Sequence, residues 1–261
     1  MIMIPLADMH CHLLAGLDDG PRTSDEALEM CRLAYAEGTR MVAALAHQNP
    51  RYRGNSPDRI REAAAELAKQ LHDADIPLSV YPSAEVMVHP EIEASWRDGQ
   101  LLSIGDRRQY VLLEMPHNLC VDLRRIARAL RSQGVRVILA HPEREEELLH
   151  DPGRIEELIR CGCVVQVSSE SITAPRARRD AVALKSWARR GVIHLLGSDG
   201  HRPGKRPPSM LEAYQRLVRW TGVGMADRIC STHGMAILQG LPLRLPEVRK
   251  RKVSWFASLW S

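Results

Sequence analysis

The chain has 261 residues, with 36 Lys and Arg against 32 Asp and Glu, a formal net charge of +4 and 44% hydrophobic residues. That mixture excludes a disordered, collagenous or multi-pass membrane chain, and the length suits one large α/β domain or two small ones. Aromatic residues make up 4% and include a single Phe, so aliphatic side chains must fill the core and an RNA-stacking module lacks its platforms.

Strand-like and helix-like runs alternate along the chain. Residues 4–11 read as a strand, followed by an amphipathic helix at 23–37 that Thr23 or Ser24 can cap and Gly38 ends. A second strand at 40–46 leads to a helix at 58–74 opened by Ser56-Pro57, and a third strand at 76–86 to a short helix at 90–98. Strands at 109–115, 135–141, 163–168 and 192–198 follow, with helices at 121–133, 152–160 and 176–190 between them. Helical segments at 208–220 and 224–240 close the series.

Such alternation implies parallel βαβ units, and seven near-continuous apolar strands fit a closed (β/α)7 barrel better than an open sheet. No GxGxxG follows the first strand and no GxxxxGK[ST] occurs, so neither phosphate loop of the nucleotide folds is present. Residues 1–245 read as one domain and 246–261 as a tail.

The six cysteines form no CxxC pair, and a chain of this size needs no disulfide framework, which points to a reducing, cytoplasmic compartment. The opening MIMIPLADMHCH lacks the basic region of a signal peptide, and no apolar run reaches membrane-spanning length. Basic clusters at Arg124–Arg131, Arg176–Arg179 and Arg249–Lys252 are separated by acidic stretches, the pattern of a solvated surface and not of a nucleic-acid groove.

Chemistry-bearing residues gather where barrel enzymes place their sites, at the C-terminal ends of strands. Asp8, His10 and His12 sit at i, i+2 and i+4 on the first strand, so all three are expected on one inward face. His47, Glu85, Glu114 and His141 end the second to fifth strands; Asp199 and His201 follow the seventh, and Asp19 lies in the first loop. Five histidines and four carboxylates meeting at one rim need cations to offset the cost of burying them. Mixed imidazole and carboxylate donors suit Mn²⁺, Fe or Zn²⁺ without choosing among them. Metal ions about 3.5–4 Å apart activate a water and clamp phosphoryl oxygens. No Cys is followed by Arg after five intervening residues, so a cysteine nucleophile of that type is excluded. Cys11 is expected to point away from the site.

The segments DMHCHLLAGLDDGPRT, ALAH, SAEV, LLEMP, ILAHPER, GCVVQVSS, LLGSDGH and KRPPSM resemble the polymerase and histidinol phosphatase (PHP) superfamily. Within it they look most like the manganese-dependent tyrosine-protein phosphatases of bacterial capsule and exopolysaccharide operons, collinear over about residues 5–240. The resemblance implies a distorted (β/α)7 barrel of the PHP type and a cluster of three Mn²⁺ ions. His10, His12, Glu85 and Asp199 would hold the first ion. Glu85, Glu114 and His141 would hold the second, with Glu85 bridging, and Asp19, His47 and His201 the third. It makes Arg144 and Arg206 the phosphate-binding arginines; Asp8 reads as an acid that orients a ligand histidine or as a simple strand-end hydrogen-bond acceptor, and Asp18 as a turn residue beside Asp19. It implies a phosphotyrosine protein as substrate, such as a membrane tyrosine kinase tail. Another phosphoesterase of the superfamily, such as histidinol phosphatase, and a metal-stabilised scaffold without turnover are the alternatives. An amidohydrolase would also show HxH but usually needs a strand-end Lys.

Departures from the family pattern fall at Gln48, Met87, Val88, Arg202, Gly204 and His233-Gly234. Gln48 and the Met87-Val88 pair stand where substrate contacts are expected. The tail combines Arg249–Lys252 with Trp255, Phe256 and Trp260, which reads as a frayed, partly packed terminus or as a contact with an anionic membrane surface.

Overall fold

Seven strands hydrogen-bond in chain order, each parallel to the next: β1 (Leu6–His12), β2 (Thr39–Gln48), β3 (Ser79–Met87), β4 (Tyr110–Glu114), β5 (Arg136–Leu139), β6 (Val164–Ser168) and β7 (Leu195–Gly197). The computed structural model describes residues 4–116 and 121–245; His117, Cys120 and the 246–261 tail lie outside them. The barrel is closed at one rim by the residues after β7. Asp199 N–H donates to His10 O at 2.6 Å and His12 N–H to Gly200 O at 2.9 Å. Among the described residues no helix is long and apolar enough to cross a membrane.

Helices cover the outer face of the strands. In α1 (Ser24–Ala36) Thr23 Oγ1 accepts the Glu26 N–H at 3.3 Å, and Ala27, Met30, Cys31 and Ala34 recur at helical spacing and are buried. In α2 (Pro57–Asp73) Ser56 is the cap, Pro57 starts the first turn, and Ile60, Ala64, Leu67 and Leu71 make the buried stripe. Shorter helices follow: α3 (Ile92–Arg97), α4 (Arg124–Ser132), α5 (Glu146–His150), α6 (Pro152–Arg160) and α7 (Ser169–Thr173). The layer ends with α8 (Arg178–Arg190), α9 (Leu211–Thr221) and α10 (Val223–Asp227), and α11 (His233–Leu238) follows.

Alternate strand residues build two cores. One face of β2 sends Val42, Ala44 and Ala46 into the layer under the helices; the other sends Met41, Ala43 and Leu45 into the barrel interior. Ile237 and Leu238 of α11 pack into that interior cluster as well. The helix approaches closely because residue 234 is Gly: a Cβ there would lie 2.9 Å from Ala7 Cβ and 2.8 Å from Met9 Sδ.

The first strand departs from simple alternation. Asp8 pairs with Val42, but Cys11 pairs with Ala44, so β1 carries one extra residue between them. Ala7 and Met9 face the interior cluster, and beyond the slip His10 and His12 face inward instead. The expectation of one shared face for Asp8, His10 and His12 therefore fails at Asp8. Its Oδ1 accepts the N–H of His10 at 3.1 Å and of Ser198 at 2.8 Å, tying β1 to the segment after β7. Cys11 is buried on the other side, as its parity requires.

Two further elements differ from the periodicity. The seventh strand is shorter than 192–198, because the His194 ring Nδ1 takes the Val165 N–H at 2.9 Å where a backbone carbonyl would otherwise serve. The run at 224–240 is broken by a π turn over Arg228–Thr232, where Ser231 Oγ donates to Pro5 O at 2.6 Å.

Candidate metal centre

Glu85 is the hub. Its position on β3 lies directly beside His47 on β2, and its side chain is 1% exposed. Oε2 lies 3.3 Å from His10 Nε2, 3.3 Å from His12 Nε2 and 3.2 Å from His47 Nδ1, while Oε1 lies 3.0 Å from His141 Nε2. Glu114 reaches the same space from β4, 3.8 Å from both His141 and His47. On the other flank Asp199 Oδ1 sits 3.4 Å from His10 Nε2 and 3.7 Å from His201 Nδ1. Asp19 Oδ1 faces His47 Nε2 at 3.5 Å and His201 Nε2 at 3.6 Å.

Four overlapping groups have ligand atoms within 4.8 Å of one another: His12, Asp19, His47 and His201; His10, His12 and Glu85; His10, His141 and Asp199; His47, Glu85 and Glu114. Together they contain the nine residues singled out in the sequence, with His12 reaching towards Asp19 as well as Glu85.

The electrostatics fit cations. Burial opposes ionisation of Glu85, yet His10, His12 and His141 hold it well below the usual carboxylate range. Burial and the neighbouring Glu85 push Glu114 up to about 8. Burial, then His12, lowers His47; burial, then His12 and Arg206, lowers His201 to about 4. His47 and His201, held neutral, present lone pairs, and the buried His47 Nδ1 has no hydrogen-bond partner although Glu85 is near; against burial, Glu85 and Asp199 raise His10, and Asp18 and Glu85 raise His12 well above the usual imidazole range. These oxygen and imidazole donors fit hard to borderline divalent ions.

Two positions hold strained backbone. His141 (φ 31°) and Asp199 (φ 54°) are non-glycine residues in the left-handed region, each just beyond a strand end. The turn aims both side chains back over the rim.

Residues behind the ligands complete the site, and two of them escaped the sequence reading. Asp18, read there as a turn residue, has its Oδ2 2.8 Å from His12 Nδ1 and accepts the His47 N–H at 3.0 Å; its Oδ1 accepts the Gly20 N–H at 2.9 Å. Burial would raise Asp18, but His12 outweighs it and sets the carboxyl at about 2. Thus Asp18, not Asp8, orients a ligand histidine. Gln166 Oε1 lies 3.0 Å from His10 Nδ1 and accepts the His141 N–H at 3.3 Å, leaving His10 Nε2 towards the cluster. Gly197 makes room, since a Cβ there would fall 2.4 Å from His10 Cβ.

Arg144 and Arg206 line the same cavity, of about 400 Å³, and both donate to Asp199 Oδ2. Arg144 also donates to Ser168 Oγ at 3.0 Å, and Arg176 braces its loop through the carbonyls of Glu143 and Arg144. Gln48 makes no part of the rim chemistry. Its amide binds the Asn55 and Gln100 carbonyls and the Leu102 N–H, fastening loops together.

A family model described as "Capsular polysaccharide synthesis, CpsB/CapC" matches residues 6–239. The chain belongs to the CpsB/CapC family. It is 31% identical over 261 residues to the tyrosine-protein phosphatase YwqE of Bacillus subtilis, covering 96% of this chain and 100% of that one. It is 26% identical over 235 residues to the tyrosine-protein phosphatase CpsB of Streptococcus pneumoniae, covering 86% and 94%. A crystal structure described as YwqE from Bacillus subtilis and CpsB from Streptococcus pneumoniae, unique metal-dependent tyrosine phosphatases, matches with a TM-score of 0.87 at 29% identity. It covers 95% of this chain and 100% of the other. The barrel itself is more widely shared: a dihydropyrimidinase from Brevibacillus agri matches at TM-score 0.53 and 13% identity, which speaks for the fold alone. Within the CpsB/CapC chain described here, Lys69 and Lys185 lie on α2 and α8 and Lys205 in a loop, so no described strand carries a lysine.

Proposed function

We propose that this chain is a metal-dependent protein-tyrosine phosphatase. The observation that carries the reading is the meeting of five imidazoles and four carboxylates, Glu85 among them, at one rim, in a family whose relatives bear that activity in their names. In this reading His10, His12, Glu85 and Asp199 hold one ion; Glu85, Glu114 and His141 a second; and Asp19, His47 and His201 a third. Mn²⁺ is the proposed ion, with Fe and Zn²⁺ compatible with the same donors.

When bound, such ions supply hydroxide at neutral pH and neutralise charge on the phosphoryl oxygens. The chain's own groups do the rest. Arg144 and Arg206 offer planar forks of donors to the phosphate from the mouth of the cavity. Asp18 and Gln166 fix His12 and His10 through their Nδ1 atoms, so that both Nε2 atoms face the centre. A phenol is a fair leaving group, so no strong general acid is required of the protein. The buried cysteines stay out of the reaction: burial pushes Cys31 and Cys163 up to about 12 and raises Cys230 as well, out of the range of any useful thiolate.

The proposed substrate is phosphotyrosine on a membrane tyrosine kinase that controls capsule or exopolysaccharide synthesis, met from the cytoplasm. Parallel assays of a phosphotyrosine peptide and histidinol phosphate test the substrate class. Hydrolysis of the peptide at a far higher kcat/KM supports the proposal; preference for histidinol phosphate overturns it.

A further inference from the structure

Beside the metal centre lies a second depression, of about 610 Å³. It runs from the β2 end across the 3-10 turn Pro50–Tyr52 to the loop after β3 and α3. The two cavities share Asn49, Pro50, Tyr52 and Met87, so they are one continuous surface with a low wall between them. That wall is Tyr52, whose ring stacks on His47 with 5.7 Å between centroids and 4° between planes. On the metal side of the wall the lining is ionic. On the far side Pro57, Val88 and Leu101 join Pro50, Tyr52 and Met87 to give an apolar floor. Arg53 stands exposed at its edge, its Nε donating to Pro50 O at 3.1 Å, and Arg51 on the metal side of the wall lies over the Tyr52 ring, 5.2 Å from its centroid.

We propose that this groove binds the chain of the substrate protein next to its phosphotyrosine, taking an apolar side chain into the floor with an acidic neighbour facing Arg51 and Arg53. The inference rests on the phosphatase reading above and adds a sequence preference to it. Continuity argues for a peptide as the occupant. A tyrosine whose phosphate reaches the metal centre must send its backbone out over the rim, and the Tyr52 wall leads into an apolar trough on one side. The exposed positive charge of Arg51 and Arg53 favours acidic company beside the wall. The substrate is therefore more than a phosphate on a phenol: the groove discriminates among phosphotyrosines by what flanks them.

The test compares three substrates on the metal-loaded full chain: para-nitrophenyl phosphate, a phosphotyrosine peptide with flanking Leu and Glu, and the same peptide with Ser in place of Leu. The Leu peptide should exceed the Ser peptide in kcat/KM by about tenfold, the worth of one apolar side chain in a pocket. Ser95→Trp, which fills the trough from α3, should abolish that difference, and Leu101→Ser should reduce it, while both leave para-nitrophenyl phosphate turnover unchanged. Equal rates on the two peptides in the wild-type chain overturn the groove and leave the phosphatase reading standing. Failure on every phosphotyrosine substrate, with para-nitrophenyl phosphate still cleaved, overturns both. A Leu-peptide rate that rises to a plateau only after removal of residues 246–261, with no Leu-over-Ser preference, assigns the trough to the chain's own tail and also overturns the proposal.

Discussion

Asp18 Oδ2 lies 2.8 Å from His12 Nδ1, with the His12 ring fully buried behind it. The pair engages Nδ1 of His12 with a carboxylate and turns Nε2 to the centre, 3.3 Å from Glu85. The same carboxylate accepts the His47 N–H, so one acid steadies two of the nine residues. Asp18→Asn should fold and yet bind Mn²⁺ about 10- to 100-fold more weakly, because a carboxylate behind a ligand imidazole raises its basicity. Titration of the stripped protein with Mn²⁺ measures this, and unchanged affinity would show that the pair is only structural.

Asp8 should behave in the opposite way. It touches no ligand ring, and burial, partly offset by Ser198 and His10, raises its carboxyl to about 6. Its Oδ1 holds two backbone N–H groups across the β1–β7 closure. Asp8→Asn keeps that acceptor and should leave urea unfolding nearly unchanged. Asp8→Ala strands two buried donors and should cost about 2–4 kcal/mol. Equal effects of the two substitutions would contradict the assignment.

Arg144 and Arg206 grip one oxygen of Asp199 from two sides, and each is about one-third exposed. Replacing either by Ala should lower kcat/KM on phosphotyrosine peptide about 10²-fold with bound Mn²⁺ retained, the scale of one lost charge-stabilising donor. The double variant should lose less than the product of the two, since both act on the same group. Loss of metal along with activity would instead make them supports for Asp199.

His194 gives a pH signature remote from the centre. Burial, reinforced by His233 and Arg136, pushes it down to about 3. Below an unfolded value near 6.5 the unfolded chain takes up a proton that the folded chain refuses, so stability falls as pH falls through that window. At pH 5 the penalty is about 2 kcal/mol. His194→Asn offers an oxygen to the Val165 N–H without a titrating ring. Between pH 7 and 5 the ion-free variant should lose about 2 kcal/mol less in urea unfolding than the wild type. Identical losses would place the acid sensitivity elsewhere.

Much of this was legible in the chain. Strand parity from Met41 to His47 holds in the barrel, and the acids and histidines at the ends of β2 to β5 meet because parallel strands in chain order bring their C-terminal ends to one rim. Parity misled at Asp8 because the extra residue in β1 is a property of the β1–β2 pairing, and the sequence of β1 alone does not show it. Asp18 was hidden in a DDGP turn, where an acid has an ordinary local use. Gln166 and Gly197 carry no charge and act on His10 across 156 and 187 positions of chain, so no local pattern marks them. The signal that finds Gly197 is steric: Gly197→Ala would drive a methyl into His10, and the CpsB/CapC barrel has no slack at that point.

Nine residues gather at one rim, and in the proposed function they hold the ions that make this chain a phosphatase. The most direct measurement counts bound Mn²⁺ by elemental analysis while following phosphotyrosine hydrolysis, as stripped protein is reloaded beside a His10→Ala variant. The expected result is no turnover without ions, a rise in rate that follows occupancy of the cluster, and neither full occupancy nor activity in the variant. Turnover by the stripped protein, or a His10→Ala chain as active as the wild type, would contradict it.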